Sequence, residues 1–280
     1  MVDIYLKLAE LKAKGQDAVL VTVTEKEGNS PTDVGKKMIV TNDEFIGTIG
    51  GGAIEHFAIE KAKNVLLDRT SFTEKYLLFD KNVQVEKDEV KLDMACGGKA
   101  TLFYEFVGPK EYVYIFGAGH CGKHIAKLLS EMNYFVSLID NREELLQEAK
   151  KYANYIVNSG FADFFEKYDI KQNAYIVVAT PSHMYDYDVL DKIISKELKI
   201  SYFGMLCSRK KIHDYLGRVK AKHGEVKLDN FFAPIGLDIG GDSPEEVAMS
   251  VVSEIQAFHY KKSDINSHMR NKVAPEDKYF

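Results

Sequence analysis

The most informative alternation of apolar and polar positions lies between residues 112 and 140. A short apolar run, Tyr112–Phe116, predicts a buried strand, and the glycine-rich stretch 117–122 follows it directly. A helical pattern comes next, and a second apolar run ends at Asp140. Strand, glycine turn, helix, strand and acid in this order are typical of a dinucleotide-binding βαβ unit.

The three glycines of this turn have separate roles in such a unit. Gly117 permits a tight turn, Gly119 lets the backbone approach a pyrophosphate, and Gly122 lets the helix pack closely on the strand. The free N–H groups at the start of the helix attract a phosphate. Asp140 follows Gly119 by 21 residues, where a carboxylate can accept a ribose 2′-OH. The alternative is that Asp140 is only the N-cap of the next helix.

Before residue 108 the pattern is different. Short runs rich in apolar and β-branched residues predict strands, and two stretches with helical periodicity predict helices. The predicted strands are 18–24, 37–41, 45–49, 74–79 and 100–107, and the predicted helices are 2–14 and a stretch that ends near 67. Runs of strands without regular strand–helix alternation indicate an α+β domain. Gly108, Pro109 and Lys110 form the candidate domain boundary.

After residue 140 strands and helices alternate regularly. The predicted strands are 154–157, 174–180 and 200–206, and the predicted helices are 143–152, 185–195, 209–222 and 244–258. This pattern predicts an α/β protein with a C-terminal Rossmann-like, doubly wound parallel sheet, preceded by a smaller α+β N-terminal domain. The expected division is 1–108, 109–262 and a polar, aperiodic tail at 263–280.

Ligands of open α/β sheets bind beyond the carboxyl ends of the strands. Five loops are expected there: residues 117–122, 140–142, 180–183, 207–211 and 234–242. Ser208 and Arg209 open a helix in one of these loops and offer a site for an anion. A solvated basic helix start explains these two residues equally well.

Other polar residues of these loops have a simpler interpretation that we prefer. His183 could act as a ligand or an acid–base group, but a loop histidine held by a backbone carbonyl is more common. Cys121 lies at a helix start that lowers a thiol pKa, but it also fits as a small packed side chain. His120 and His124 are four residues apart, and a metal pair is not expected because His120 precedes the helix.

The N-terminal domain carries two unusual features. Gly50, Gly51 and Gly52 precede a helix whose first turn contains Glu55, which implies close approach of the backbone to an oxyanion or to another strand. Cys96 is followed by two glycines just before a predicted strand, a position that favours a functional thiol. Such a thiol could bind a soft metal or act as a nucleophile.

Composition excludes several classes of protein. The 280 residues are enough for two domains, and the net charge of −5 argues against a nucleic-acid partner. No apolar run reaches 18 residues, and charges interrupt the N-terminal helix, so neither a membrane span nor a signal peptide is expected. Three widely spaced cysteines do not make a disulfide framework, and a reducing cytoplasm is the expected location.

Taken in order, six motifs resemble those of the XdhC/CoxI family, the accessory proteins of xanthine dehydrogenase and related molybdenum hydroxylases. The resemblance covers roughly residues 15–260. The matching segments are 28–38, 47–55, 95–98, 116–122, 204–210 and 233–246, with sequences such as GTIGGG, ACGG, FGAGH and APIGLDIG. Six motifs in the family's order identify the chain as a member.

The resemblance implies a function as well as a fold. Proteins of this family bind the molybdenum cofactor, promote or protect its sulfurated form, and hand it to the hydroxylase, so a hydroxylase client and a sulfur-donating enzyme are the expected partners. No catalytic residue is implied, and Cys96 becomes the candidate metal ligand. The cofactor-binding candidates are Cys96, Gly50, Gly51, Gly52, Glu55, Gly117, Gly119, His120, Gly122, Asp140, Ser208 and Arg209.

Two departures from the family pattern and one alternative function remain. Ala53 stands where some relatives carry cysteine, and Cys207 stands where the family often has glycine. The alternative is an NAD(P)-dependent oxidoreductase that uses the glycine turn and Asp140, with His183 or a cysteine as proton donor. A homodimer is compatible with either function, because isologous pairs are common.

Overall fold

The computed structural model describes residues 3–79, 89–92, 97–228 and 230–262. Its contacts divide the chain into two compact units, Met1–Pro109 and Lys110–Phe280. Each unit has its own sheet and its own hydrophobic core. Cys96 and the predicted tail at 263–280 lie outside the described residues.

The first unit is built on a six-stranded sheet. Its strands are β1 (Ala18–Gly28), β2 (Lys37–Val40), β3 (Phe45–Thr48), β4 (Phe72–Leu78), β5 (Glu89–Leu92) and β6 (Gly98–Val107). They lie in the order β3-β2-β1-β6-β4-β5. Every neighbouring pair is antiparallel except β4 and β5, which are parallel.

Two helices cover opposite faces of this sheet. The helix α2 (Gly52–Asp68) buries Ile54, Ala58 and other residues against the face that carries Val19 and Val21. The helix α1 (Ile4–Ala13) packs Leu11 with Leu20 on the other face. Alternate residues of β1 point to opposite faces of the sheet, so one strand supports both cores.

The second unit is a parallel sheet with helices on both faces. Its strands are β7 (Tyr112–Phe116), β8 (Phe135–Asp140), β9 (Tyr155–Asn158), β10 (Ala174–Val178), β11 (Ile200–Met205) and β12 (Phe231–Phe232). Its helices are α3 (His120–Glu131), α4 (Glu143–Ala149), α5 (Phe161–Lys167), α6 (His183–Ser195), α7 (Arg209–His223) and α8 (Pro244–His259), with a 3₁₀ turn at Lys150–Tyr152.

The strand order of the second unit is that of a dinucleotide-binding fold. The order is β12-β11-β10-β7-β8-β9, and all five neighbouring pairs are parallel. Counted from β7, this is the order 3-2-1-4-5-6, which reverses direction between β7 and β10. The helices α5, α6 and α7 contribute to the core on one face, and α3, α4 and α8 to the core on the other. The predicted Rossmann-like, doubly wound sheet is therefore confirmed, as is the smaller α+β unit that precedes it.

Three elements were not predicted from the sequence. β5 lies between two predicted strands, and it forms because its backbone pairs with β4. The helix α5 buries Phe161, Phe164 and Phe165, a spacing of three and four residues that indicates a helix face. The two-residue strand β12 is held by its pairing with β11. None of the helices in the described ranges has the length and apolar composition needed to cross a membrane.

Candidate functional site

The candidate site lies at the carboxyl ends of the strands in the second unit, where the glycine turn joins β7 to α3. The amide of Gly117 donates to the carbonyl of Ile139 at 2.8 Å, which ties the turn to β8. A Cβ added to Gly117 would lie 2.2 Å from the carbonyl oxygen of Ala179, and one added to Gly122 would lie 1.9 Å from the carbonyl oxygen of Gly117. The fold therefore requires glycine at both positions.

Gly119 differs from its neighbours. Its φ and ψ of −64° and −173° suit any residue, and no atom within the described ranges lies within 4 Å of a Cβ built on it. It is the N-cap of α3, where no described side chain satisfies the first amides of the helix. His120 begins α3 and is exposed. The turn thus leaves an open space in front of a helix N-terminus.

Asp140 is fully buried at the end of β8, and four donors surround its carboxylate. The amide of Ala118 and Nη2 of Arg142 donate to Oδ2, each at 2.7 Å. The amide and Nε of Arg142 donate to Oδ1 at 3.0 and 2.8 Å. Two carboxylate oxygens offer about four lone-pair positions in all, so this carboxylate is saturated from within the chain. Its geometry differs from the expected one, in which the carboxylate accepts a ribose 2′-OH.

The pKa of Asp140 reflects these contacts. Burial alone raises it, but the hydrogen bonds from Arg142 and Ala118 outweigh burial, and the pKa lies below its ordinary value. The side-chain hydrogen bonds between Arg142 and Asp140 also raise the pKa of the Arg142 guanidinium. The pair is therefore ionised, and Asp140 serves as the anchor of Arg142 and of the glycine turn.

A second buried carboxylate, Asp186, lies in α6 behind the loop that follows β10. Its Oδ1 is 2.5 Å from Oγ1 of Thr180, and its Oδ2 accepts from the hydroxyl of Tyr215 at 3.1 Å. The Thr180 hydroxyl also reaches the carbonyl of Ser182 at 2.9 Å. The single hydroxyl proton of Thr180 cannot serve both the Asp186 carboxylate and the Ser182 carbonyl. A protonated Asp186 would donate its own proton to Thr180, and the Thr180 proton would then go to Ser182. Burial raises the pKa of Asp186, which favours that neutral form.

The loop after β11 carries Cys207, Ser208 and Arg209. Ser208 is the N-cap of α7, and its hydroxyl accepts from the amide of Lys211 at 3.4 Å. Cys207 is partly buried, and burial, together with the negative charge of Asp186, raises the pKa of its thiol to about 11. Arg209 is the first residue of α7, and its side chain lies outside the described part of the structure.

The remaining polar candidates of this unit do not form a metal site. Nε2 of His124 lies 3.1 Å from a carboxylate oxygen of Glu245, which links α3 to α8. Cys121 is partly buried, and burial followed by the charge of Glu245 raises the pKa of its thiol. His183 begins α6 and is exposed. Among the described residues, no three histidine, cysteine or acidic side chains come close enough to hold a metal ion.

In the first unit, Glu55 holds the triglycine turn. Its Oε2 accepts from the amides of Ile49 and Gly51 at 3.1 and 3.2 Å and from the Thr48 hydroxyl. Gly50 has a φ of 131°, and a Cβ there would lie 2.6 Å from the carbonyl oxygen of Pro31. Gly52 begins α2 with a φ of 68°. Internal contacts and backbone conformation thus account for much of this glycine run.

The second unit brings together the glycine turn, Asp140, and the loops that follow β8, β10 and β11. Arg142, in one of the five expected loops, contacts Asp140, and two residues that the sequence analysis did not name, Asp186 and Tyr215, support the loops after β10 and β11. Arg142 follows the acid of the fingerprint by two residues, which was a usable signal. Asp186 and Tyr215 meet only because α6 and α7 pack side by side, and nothing local in the sequence indicates their pairing.

Comparison with known protein families agrees with this geometry. Residues 113–255 match the family described as the XdhC Rossmann domain, and residues 11–76 match the XdhC and CoxI family. The chain belongs to the XdhC family. The residues that match the XdhC Rossmann domain begin in β7 and include the glycine turn, Asp140 and Asp186. The predicted family membership is confirmed.

Two curated relatives of this XdhC family member are distant in sequence. It is 27% identical over 256 residues to the uncharacterized protein YqeB of Escherichia coli, across 90% of this chain and 46% of that protein. It is 26% identical over 155 residues to a probable xanthine dehydrogenase subunit of Bacillus subtilis, across 55% of this chain and 44% of that protein. The chain therefore spans under half the length of these curated relatives.

A solved structure shares the fold of this XdhC protein along most of its length. A Bacillus halodurans protein described as a xanthine dehydrogenase superposes with a TM-score of 0.51 at 19% identity. The match covers 95% of this chain and 98% of that one. At this level of identity the likeness concerns the fold.

Proposed function

We propose that this protein is an accessory protein that binds the molybdenum cofactor and delivers it, in sulfurated form, to a xanthine dehydrogenase-type hydroxylase. Membership of the XdhC family supports an accessory role beside xanthine dehydrogenase. The relative from Bacillus subtilis, whose name describes it as part of a probable xanthine dehydrogenase, agrees with that class of client. A sulfur-donating enzyme is the second proposed partner.

The observation that carries the proposal is the open space at Gly119. Gly117 and Gly122 are explained by contacts within the fold, whereas at Gly119 a Cβ would meet no described atom within 4 Å. A glycine that the fold does not need, at an uncapped helix N-terminus, fits the close approach of a phosphate-bearing ligand. The molybdenum cofactor carries a phosphate and therefore suits this cradle.

Residues near the open space at Gly119 are proposed to hold the phosphate of the cofactor. The amides at the start of α3, next to Gly119 and His120, would bind its phosphate, and Ser208 with Arg209 would supply further donors at the start of α7. Cys96 is proposed separately, from the family resemblance, as the thiol that acts on the metal centre. When bound, the cofactor supplies the sulfurated molybdenum centre that the client needs, and the protein's own groups bind it and release it.

The test is binding of purified molybdopterin, followed by activation of a cofactor-free hydroxylase. We expect the wild type to bind molybdopterin and activate the client, Cys96→Ser to lose activation, and Gly119→Ala to bind more weakly while it stays folded. Full binding and full activation by both Cys96→Ser and Gly119→Ala would refute the proposal.

The strand order of the second unit favours one other function, that of an NAD(P)-dependent oxidoreductase. The saturated carboxylate of Asp140 weighs against it, because an NAD ribose would have to displace a donor that the chain already supplies. Thermal unfolding with NAD(H), NADP(H) and molybdopterin, each added separately, separates the two functions. Stabilisation by a nicotinamide cofactor together with hydride transfer would favour the enzyme.

A further inference from the structure

A cation and an aromatic ring lie at the edge of the crevice beyond the glycine turn. Arg142 follows β8, and about a third of its side chain is exposed (34%). Tyr185 lies in the first turn of α6 and is exposed to a similar extent, 37%. Neither residue belongs to the glycine motif, and neither is needed for the phosphate site proposed above.

A chain of contacts connects the segments that carry these two side chains. The carbonyl of Asp140 accepts from the amide of Ser159 at 3.1 Å, so the segment that leads into α5 lies beside the end of β8, two residues before Arg142. Phe161 lies two residues after Ser159, and the centroid of its ring is 5.1 Å from the centroid of the Tyr185 ring. The pKa of Arg142 is raised, first by its hydrogen bonds to Asp140 and to a smaller extent by the charge that Tyr185 carries when it ionises.

The same network connects the pair to the glycine turn. The amide of Ala118 donates to the carboxylate that also holds Arg142. On the other side, the amide of Ala179 donates to the carbonyl of Phe116 at 2.8 Å, and the loop from Ala179 leads into α6 and Tyr185. Arg142 and Tyr185 therefore follow the two strands that neighbour β7, the strand that leads into the glycine turn.

The chemistry of the pair suits a flat ring better than a sugar hydroxyl or a second phosphate. Two hydrogen bonds to Asp140 fix the plane of the guanidinium, which leaves its face available for stacking. Its charge is balanced by Asp140, so it attracts an added anion less than a free arginine would. Because the carboxylate is saturated, it has no remaining acceptor for a ribose hydroxyl.

We infer that Arg142 and Tyr185 form a stacking site for a planar nitrogen heterocycle that is joined to the phosphate held at the glycine turn. This inference deepens the proposed function and rests on its phosphate site. Two sources have this chemistry, the base of a nucleotide and the pterin ring of the molybdenum cofactor. Aromatic and guanidinium faces stack with either ring with little preference for sequence or substituent.

The test compares three probes by isothermal titration calorimetry: inorganic pyrophosphate, ADP and a phosphorylated pterin. We expect at least one ring-bearing probe to bind the wild type about tenfold more tightly than pyrophosphate, as is usual for one stacked base. A preference for ADP identifies a nucleotide, and a preference for the phosphopterin identifies the cofactor's own ring. Equal affinity for the three probes, or no binding of any of them, would overturn the inference.

Variants assign the ring preference to these side chains. Tyr185→Leu and Arg142→Lys should each bring the affinity for the ring-bearing probe down to the affinity for pyrophosphate, so that the ratio of the two affinities is close to one. Pyrophosphate itself should bind as before. Tyr155→Leu, at another exposed tyrosine of the same unit (56% exposed), is the matched control and should keep the full ratio. Since Arg142→Lys also disturbs a buried pair, Tyr185→Leu decides the outcome, and a preserved ratio in that variant would overturn the inference.

The two proposals can fail separately. If Tyr185→Leu loses the ring preference but the wild type does not activate a hydroxylase with molybdopterin, the stacking site stands and the delivery function fails. If the wild type activates the client and Tyr185→Leu does so with unchanged affinity for all probes, the delivery function stands and the stacking site fails.

Discussion

The hydroxyl of Tyr215 donates a hydrogen bond of 3.1 Å to Oδ2 of Asp186, and it joins α7 to α6 beneath the loops that border the glycine turn. Both side chains are almost fully buried, at 1% and 3% exposure. Thr180 completes the network from the loop after β10. Asp186 therefore connects three segments around the candidate site and sets how the loops after β10 and β11 are positioned.

Burial raises the pKa of Asp186, which predicts that the fold accepts an uncharged side chain at this position. Asp186→Asn, which keeps a hydrogen-bonding side chain without charge, should remain within about 1 kcal/mol of the wild type at pH 7, whereas Asp186→Ala should lose about 2–3 kcal/mol. Urea unfolding monitored by circular dichroism measures both values. An asparagine variant as unstable as the alanine variant would show that the ionised carboxylate is the form that the fold needs.

The same residue predicts a direction for pH dependence. Burial raises the pKa of Asp186 in the folded state above its ordinary value. The folded protein then binds more protons than the unfolded chain, so the contribution of this group to stability is full below the ordinary pKa. This contribution is lost as pH rises through the raised pKa of the folded state. Unfolding curves between pH 4 and 8, at about one-unit steps, should show this loss in the wild type and not in Asp186→Asn.

For Asp140 we expect stability to depend on pH in the opposite direction. Its pKa lies below the ordinary value, because the hydrogen bonds from Arg142 and Ala118 outweigh burial. The contribution of Asp140 to stability is therefore present above its ordinary pKa. It is lost as pH falls through the lowered pKa of the folded state. Asp140→Asn should cost about 1–3 kcal/mol at pH 7 and remove part of the acid sensitivity. A variant with the wild-type acid transition would contradict the assignment of this carboxylate as an ionised anchor.

The glycine turn offers a pair of substitutions that separates folding from binding. Gly122→Ala should lower the free energy of unfolding by about 3 kcal/mol or prevent folding, since its Cβ would overlap the carbonyl oxygen of Gly117. Gly119→Ala should keep the wild-type stability, because the space around its Cβ is open. Thermal unfolding of the two proteins in parallel checks this contrast, and marked destabilisation by Gly119→Ala would contradict it.

The carboxylate of Glu55 predicts a role in stabilising the first unit. Glu55→Ala leaves the amides of Ile49 and Gly51 without their acceptor and should destabilise the unit by about 1–2 kcal/mol. Glu60→Ala on the same helix is the matched control, because Glu60 is exposed and pairs only with the exposed His56 among the contacts described. Equal effects of the two substitutions in urea unfolding would rule out the proposed capping role.

Cys207 predicts slow thiol chemistry at neutral pH. Burial and the charge of Asp186 raise its pKa to about 11, so little thiolate is present at pH 7.5. Alkylation by iodoacetamide, followed by mass spectrometry of the labelled peptide, should therefore proceed slowly and accelerate steadily up to about pH 11. Rapid labelling of Cys207 at pH 7.5 would contradict the buried environment described for it.

Much of the architecture was predictable from local patterns. The alternation of apolar runs and helical periods between residues 112 and 258 predicts the Rossmann-like sheet, because buried parallel strands need apolar runs and their crossovers need amphipathic helices. β5 and β12 were not predictable in the same way, since they are short and depend on pairing with strands distant in the sequence. The three phenylalanines of α5, spaced by three and four residues, do carry a local helical signal.

The sequence by itself determined that the chain contains a glycine-turn βαβ unit and that it belongs with the XdhC family, because both depend on residue types at fixed spacings. Only the tertiary structure decided what the residues of that motif do. It showed that Gly117 and Gly122 are required by backbone contacts while Gly119 is not. It also showed that Asp140 is saturated by Arg142 and Ala118. Spacing along a chain predicts which groups approach a site, but the number of donors around a buried carboxylate depends on how distant segments pack.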